Sequence, residues 1–70
     1  MQRISVVSSN LASVGHEAGI KLLEIEFHDG RVYQYEDVPE SSYHALMSAD
    51  SIGSYFHRHI RDKYRTTRIQ

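Results

Sequence analysis

The segment LLEIEFHDGRVYQYED, residues 22–37, decides the fold. Leu23, Ile25 and Phe27 alternate with Leu22, Glu24 and Glu26, the period-two signature of a strand with one buried face. Residues 31–37 alternate again, and His28-Asp29-Gly30 between the runs marks a hairpin. A two-residue Asp29-Gly30 turn would set Phe27 against Val32, Ile25 against Gln34 and Leu23 against Glu36. A three-residue loop, His28 to Gly30 with Gly30 in the left-handed region, sets Ile25 opposite Tyr33 and Leu23 opposite Tyr35. Only the second gathers Leu23, Ile25, Phe27, Tyr33 and Tyr35 on one face, and a one-residue slip would turn all of them outward.

Working upstream, residues 12–22 suggest another hairpin, with Val14 opposite Leu23, a loop from Glu17 to Ile20, and Ala12 and Val14 on the apolar face. Residues 4–7 supply a short extra strand, and Ser8-Ser9-Asn10 reads as a turn held by its own side chains. Downstream, Val38-Pro39 ends the strand and the period changes. Tyr43, Leu46 and Met47 within residues 40–49 fall at helical spacing, with Pro39 at the entry. Asp50 or Ser51 can cap a second helix over 51–64, where Ile52, Phe56 and Ile60 recur every four residues. The expected fold is α+β: a three-stranded antiparallel meander, with a short N-terminal strand as an addition, followed by two helices packed on one face.

Tyr33 and Tyr35 could be core residues or a platform for stacked bases. Their face is the only apolar one the sheet can offer the helices, whereas the other carries Glu24, Glu26, Gln34 and Glu36. They are therefore expected in the core.

Seventy residues make one small domain, residues 1–70, able to bury only about 60% of its unfolded surface. The chain has no cysteine, so neither a disulfide nor a thiolate metal site supplements that core. No run approaches the ~20 apolar residues of a membrane span, and the N-terminus lacks a signal-peptide pattern. The expectation is a complete, cytoplasmic protein without a membrane partner.

Charge is unevenly placed. Residues 17–50 hold eight acidic side chains against Lys21 and Arg31, whereas residues 51–70 hold five basic ones against Asp62 alone. If the second helix ran past Tyr64, Arg58, Arg61, Arg65 and Arg68 would lie within about 80° of arc, roughly opposite the apolar stripe. Such a row suits phosphate, which a planar guanidinium binds through two hydrogen bonds. His57 and Lys63 could assist, and an exposed Tyr64 could stack on a base. A solvated arginine face is the plainer reading.

Other chemistry finds little support. The rings of His57 and His59 would point about 200° apart on a helix, so they cannot share an ion. His59 is expected at the edge of the helix interface. No Gly-x-Ser-x-Gly elbow occurs, no catalytic residue stands out, and a cleft of ~300 Å³ is not expected in so small a domain. Gly53, in the first turn of the second helix, implies a close approach there, by the neighbouring helix or by a ligand.

In order along the chain, SSNLASVGHE (8–17), LEIEFHDGRVYQYEDVP (23–39) and LMSADSIGSYFHRHIRDKY (46–64) resemble the KTSC domain. That short family is named for the C-terminus of some lysyl-tRNA synthetases and also occurs as a stand-alone bacterial protein. Its Tyr-x-Tyr mark is matched by Tyr33-Gln34-Tyr35, and the resemblance covers a core of about residues 8–64, which overlaps the basic C-terminal end, 57–70. Two positions depart from the pattern: His16 stands where an aromatic such as Tyr is usual, and Arg65 where a Pro often ends the second helix. The resemblance implies an association with tRNA-handling enzymes and carries over no catalytic residue and no cofactor. Two functions therefore stand: an RNA-binding module that uses the basic end, and a protein-interaction or homodimerisation module that uses a sheet edge.

Overall fold

The computed structural model describes all residues, 1–70, as an antiparallel sheet with two helices on one face. Strands β1 (Ile4–Ser5), β2 (Leu11–Glu17), β3 (Leu22–Phe27), β4 (Val32–Tyr35) and β5 (Thr66–Arg68) lie in chain order across the sheet. Helices α1 (Glu40–Ser48) and α2 (Ile52–His59) fall between β4 and β5.

The β3–β4 hairpin has the expected register, with Leu23 opposite Tyr35 and Ile25 opposite Tyr33. Gly30 has φ +92°, and the amide of Phe27 bonds to the carbonyl of Arg31 to close a three-residue loop. Most other residue types would be strained at that φ.

The β2–β3 pairing differs by two residues from expectation: Val14 pairs with Ile25, and His16, not Val14, faces Leu23. The connection is a 3₁₀ turn, Ala18–Ile20, closed by Lys21 in the left-handed region at φ 52°. The turn has the expected length but starts one residue later, so the ladder runs to Glu17–Leu22. It also sets His16 where its Nε2 donates to the Val38 carbonyl at 2.7 Å and its ring stacks on Tyr43 at 5.1 Å. The departure at His16 therefore replaces an aromatic with a ring that still stacks. A bulge between Leu11 and Ser13 changes the alternation, so Leu11 rather than Ala12 joins the core face.

Two further strands complete the meander. The N-terminal strand is shorter than residues 4–7, with Ile4 against Val14. At the other end the second helix stops at His59 instead of reaching Tyr64, and Thr66–Arg68 runs along β4. Two β-branched threonines favour this extended state. The turn after α2 also drops Ile60 into the core at 1% exposure. Both long edges of the predicted three-stranded sheet are thus covered, and the edges that remain are strands of two and three residues. Short edges leave few free backbone groups for a partner strand.

The core joins Leu11, Val14, Leu23, Ile25 and Tyr35 of the sheet to Val38, Leu46, Phe56 and Ile60. As its spacing implied, α1 buries Leu46, with Tyr43 and Met47 at the margin. Ser51 caps α2, accepting from the Ser54 amide at 3.2 Å. His59, expected at the helix interface, is instead exposed and leans on Tyr55 with ring centres 4.5 Å apart.

The opposite face is not a free acidic surface. Residues 1–3 lie across it: a Cβ on Gly15 would stand 2.6 Å from the Gln2 carbonyl oxygen, so only glycine allows this approach. Arg3 reaches Glu24 and donates from Nε to Ser13 Oγ at 3.0 Å. Ser13 in turn donates to Glu26 at 2.8 Å, and Gln34 donates to Glu24 at 2.9 Å. Glu24 is only 6% exposed beneath this network.

Candidate functional site

Period-two alternation places Arg31, Tyr33 and Tyr35 on the same side of the sheet as Phe27. α2 crosses only part of that side. Between its Gly53-Phe56-His57 surface and the strands lies an open groove of about 670 Å³, contrary to the expectation that so small a domain has no room for a cleft of ~300 Å³. Phe27, Tyr33, Tyr35 and Phe56 form its aromatic lining. Ser9 and Asn10 close one end, beside the hairpin turn with His28, Asp29 and Arg31, while Arg61, Asp62 and Thr66 border β5. Aromatic pairs meet edge to face: Phe27–Tyr33 at 5.7 Å, Phe27–Phe56 at 5.6 Å and Tyr35–Phe56 at 5.7 Å.

The two tyrosines answer the core-or-platform question differently. Tyr35 belongs to the core at 3% exposure, whereas Tyr33 is half-buried at its margin. Both nevertheless line the groove. Burial pushes the Tyr35 phenol up to about 12, reinforced by Tyr33 and opposed by Arg61. Folding therefore favours the protonated phenol, and its contribution is intact below pH 10 and lost as pH rises toward 12. Between pH 9 and 11.5 the native protein should lose about 1–2 kcal/mol more stability than Tyr35→Phe, measured by urea unfolding of both. Equal losses would mean that this phenol ionises as freely in the folded chain as in the unfolded one.

The basic residues do not form one stripe, because no helix passes through all of them. Arg61 and His57 line the groove, joined by a bond from Arg61 Nη1 to His57 Nδ1 of 3.1 Å. Arg58 lines an adjoining depression that shares Ser9, Asn10, Gly53 and His57 with the groove. Arg68 sits on β5 opposite Tyr33, and its Nε donates to the Gln70 carbonyl at 3.1 Å. Arg65 and Lys63, in the connection after α2, line neither depression. Tyr64, expected to be exposed, packs half-buried against the core. Arg58 and His57 also stand in the last turn of α2, where cations offset the partial negative charge of the helix C-terminus.

The close approach at Gly53 is made by the Ser8 turn and not by the other helix: a Cβ there would meet Ser8 Oγ at 3.2 Å. That hydroxyl accepts from the amides of Asn10 and Leu11, the side-chain-held turn expected from Ser8-Ser9-Asn10. His28 Nε2 donates to the Ser8 carbonyl at 2.8 Å and pins this turn to the hairpin.

Sequence reasoning missed Arg31 and His28. Arg31 was within reach, since it shares parity with Tyr33 and Tyr35. Its guanidinium and amide both bond Asp29, at 2.7 and 3.0 Å. The amide chiefly holds the Asp29 carboxyl below its usual range. No group of three histidine and carboxylate side chains is placed to hold a metal ion, and no helix is long and apolar enough to cross a membrane.

A five-stranded meander with two helices over an aromatic groove defines a small α+β domain. Residues 7–64 match the model of the KTSC domain, and the chain belongs to that family. Its structure is similar to the crystal structure of a KTSC domain protein from Yersinia pestis, with a TM-score of 0.93 and 38% identity over 99% of this chain and 97% of the other. An uncharacterized protein of Stutzerimonas stutzeri is 40% identical over 70 residues, 99% of each chain. A lysine–tRNA ligase of Trichormus variabilis is 38% identical over 50 residues, which are 71% of this chain and 9% of that enzyme.

Proposed function

We propose that this domain is a nonenzymatic RNA-binding module, acting in the cytoplasm on a tRNA-like partner. The observation that carries this reading is the groove itself: an aromatic lining bordered by Arg61 and His57, with Arg58 in the adjoining depression. Aromatic rings give bases a stacking surface, and arginines beside them supply phosphate contacts. Asp29 is already paired with Arg31, so it competes little for those arginines. Arg65, Arg68 and Lys63 add positive charge along the β5 side and strengthen long-range attraction more than local recognition. The similarity to a short part of a lysine–tRNA ligase favours RNA among anionic partners.

Mixed bacterial tRNA titrated against the folded protein tests this directly. Micromolar binding should weaken steeply with salt, because each neutralised phosphate releases counterions. Arg58→Glu/Arg61→Glu should lower affinity at least about tenfold at low salt and flatten the salt dependence. Absence of binding at low salt, or affinity unchanged by the double reversal, would leave the arginines as a solvated face.

A further inference from the structure

Tyr35 combines two properties that packing alone does not explain. Its ring is buried to 3% exposure, yet its hydroxyl has no hydrogen-bond partner within the protein. No fully buried side-chain polar atom lacks a partner, so this hydroxyl is the part of Tyr35 that opens into the groove. A phenylalanine would fill the core equally well, whereas the hydroxyl adds a donor and an acceptor facing the groove, met by water or by whatever displaces it.

The surrounding groups narrow what that occupant is. Arg61 keeps N–H groups beyond the one given to His57 and lines the same groove as Tyr35. Tyr35 can donate or accept, and Arg61 only donates. Phe27, Tyr33 and Phe56 line the groove and meet edge to face, an arrangement that covers at most one face of a ring per pair. A flat heteroaromatic molecule with acceptors along one edge satisfies all of these groups. Duplex bases do not, because their edges are paired and their faces stacked.

We propose that the groove takes one unstacked base of single-stranded RNA, with its edge hydrogen-bonded by the Tyr35 hydroxyl and Arg61 and its plane against the Tyr33 side. This rests on the RNA-binding reading and adds to it a preference for single strands and among bases. Sequence-tolerant phosphate contacts then supply affinity, and Tyr35 supplies discrimination.

Fluorescence anisotropy with labelled single-stranded RNA octamers of each base, and with a matched duplex, tests the assignment in native protein and Tyr35→Phe. Single strands should bind at least about tenfold more tightly than duplex, with one base preferred. Tyr35→Phe should weaken the preferred octamer about three- to tenfold, leave the others unchanged and keep the same salt slope. Salt-sensitive binding that is equal for duplex and single strands, or that Tyr35→Phe leaves untouched, overturns the groove assignment while the RNA-binding reading stands. Failure of every RNA to bind overturns both.

Discussion

Leu46→Ala should destabilise the domain by about 3 kcal/mol, near the middle of the range for removing a fully buried leucine. Leu46 is the one fully buried residue of α1, at 0% exposure, and it joins the helix to the nine-residue core. Neighbours on either side, Tyr43 and Met47, are only half-buried, so neither can swing in to fill the space without leaving its own contacts. A 70-residue domain has a total stability of roughly 4–10 kcal/mol, so this one change removes a large share. The corresponding fall in melting temperature is at least about 12 °C. Thermal unfolding followed by circular dichroism would show it, and a fall of only a few degrees would mean that α1 is held mainly by its ends.

Arg3→Met should cost about 2–3 kcal/mol, a large effect for a residue two positions from the first. The loss comes less from the missing ion pair than from the carboxylate left behind. Glu24 is nearly inaccessible, and without Arg3 it retains one hydrogen-bond partner, the Gln34 amide at 2.9 Å. The Arg3 side chain keeps 27% of its own exposure, which holds the expected loss below that of a wholly buried pair. Arg3→Met/Glu24→Gln should recover most of the stability, because it removes the uncompensated charge and keeps an amide oxygen to accept from Gln34. Urea unfolding of the two variants separates the effects. Equal destabilisation would mean that residues 1–3 contribute packing over Gly15, with the charge pair adding nothing.

The hairpin and the helical spacing were legible because each is local. Face parity and one glycine specify the β3–β4 register, and Leu46 and Phe56 declare their burial through their spacing. What escaped the sequence depends on distant partners. Thr66–Arg68 continues a basic helical pattern on paper, and only the open side of β4 makes it a strand. Nothing local pairs Arg3 with Glu24, 21 residues away; the back of the sheet brings the carboxylate beneath it. The bulge at Leu11 and the turn at Lys21 likewise change pairings by amounts that alternation alone does not encode. For the groove, the tyrosines, Arg61 and His57 were identifiable singly, but their convergence depended on where α2 stops.

The strand order has a consequence for how the chain reaches this structure. β2, β3 and β4 are joined by turns of a few residues, so their ladders close over short distances, on the microsecond scale of hairpins. β5 pairs with β4 only after the whole helical segment, residues 36–65, has been spanned, a longer loop with a larger entropic cost. The rate-limiting ensemble is therefore expected to have the central hairpins formed and the last strand still detached. Substitutions in β3 and β4 slow folding, whereas those in β5 act chiefly by hastening unfolding. The same strand that borders the groove is thus expected to be the last to arrive and the first to leave, which a chevron analysis of β5 and β3 variants would show.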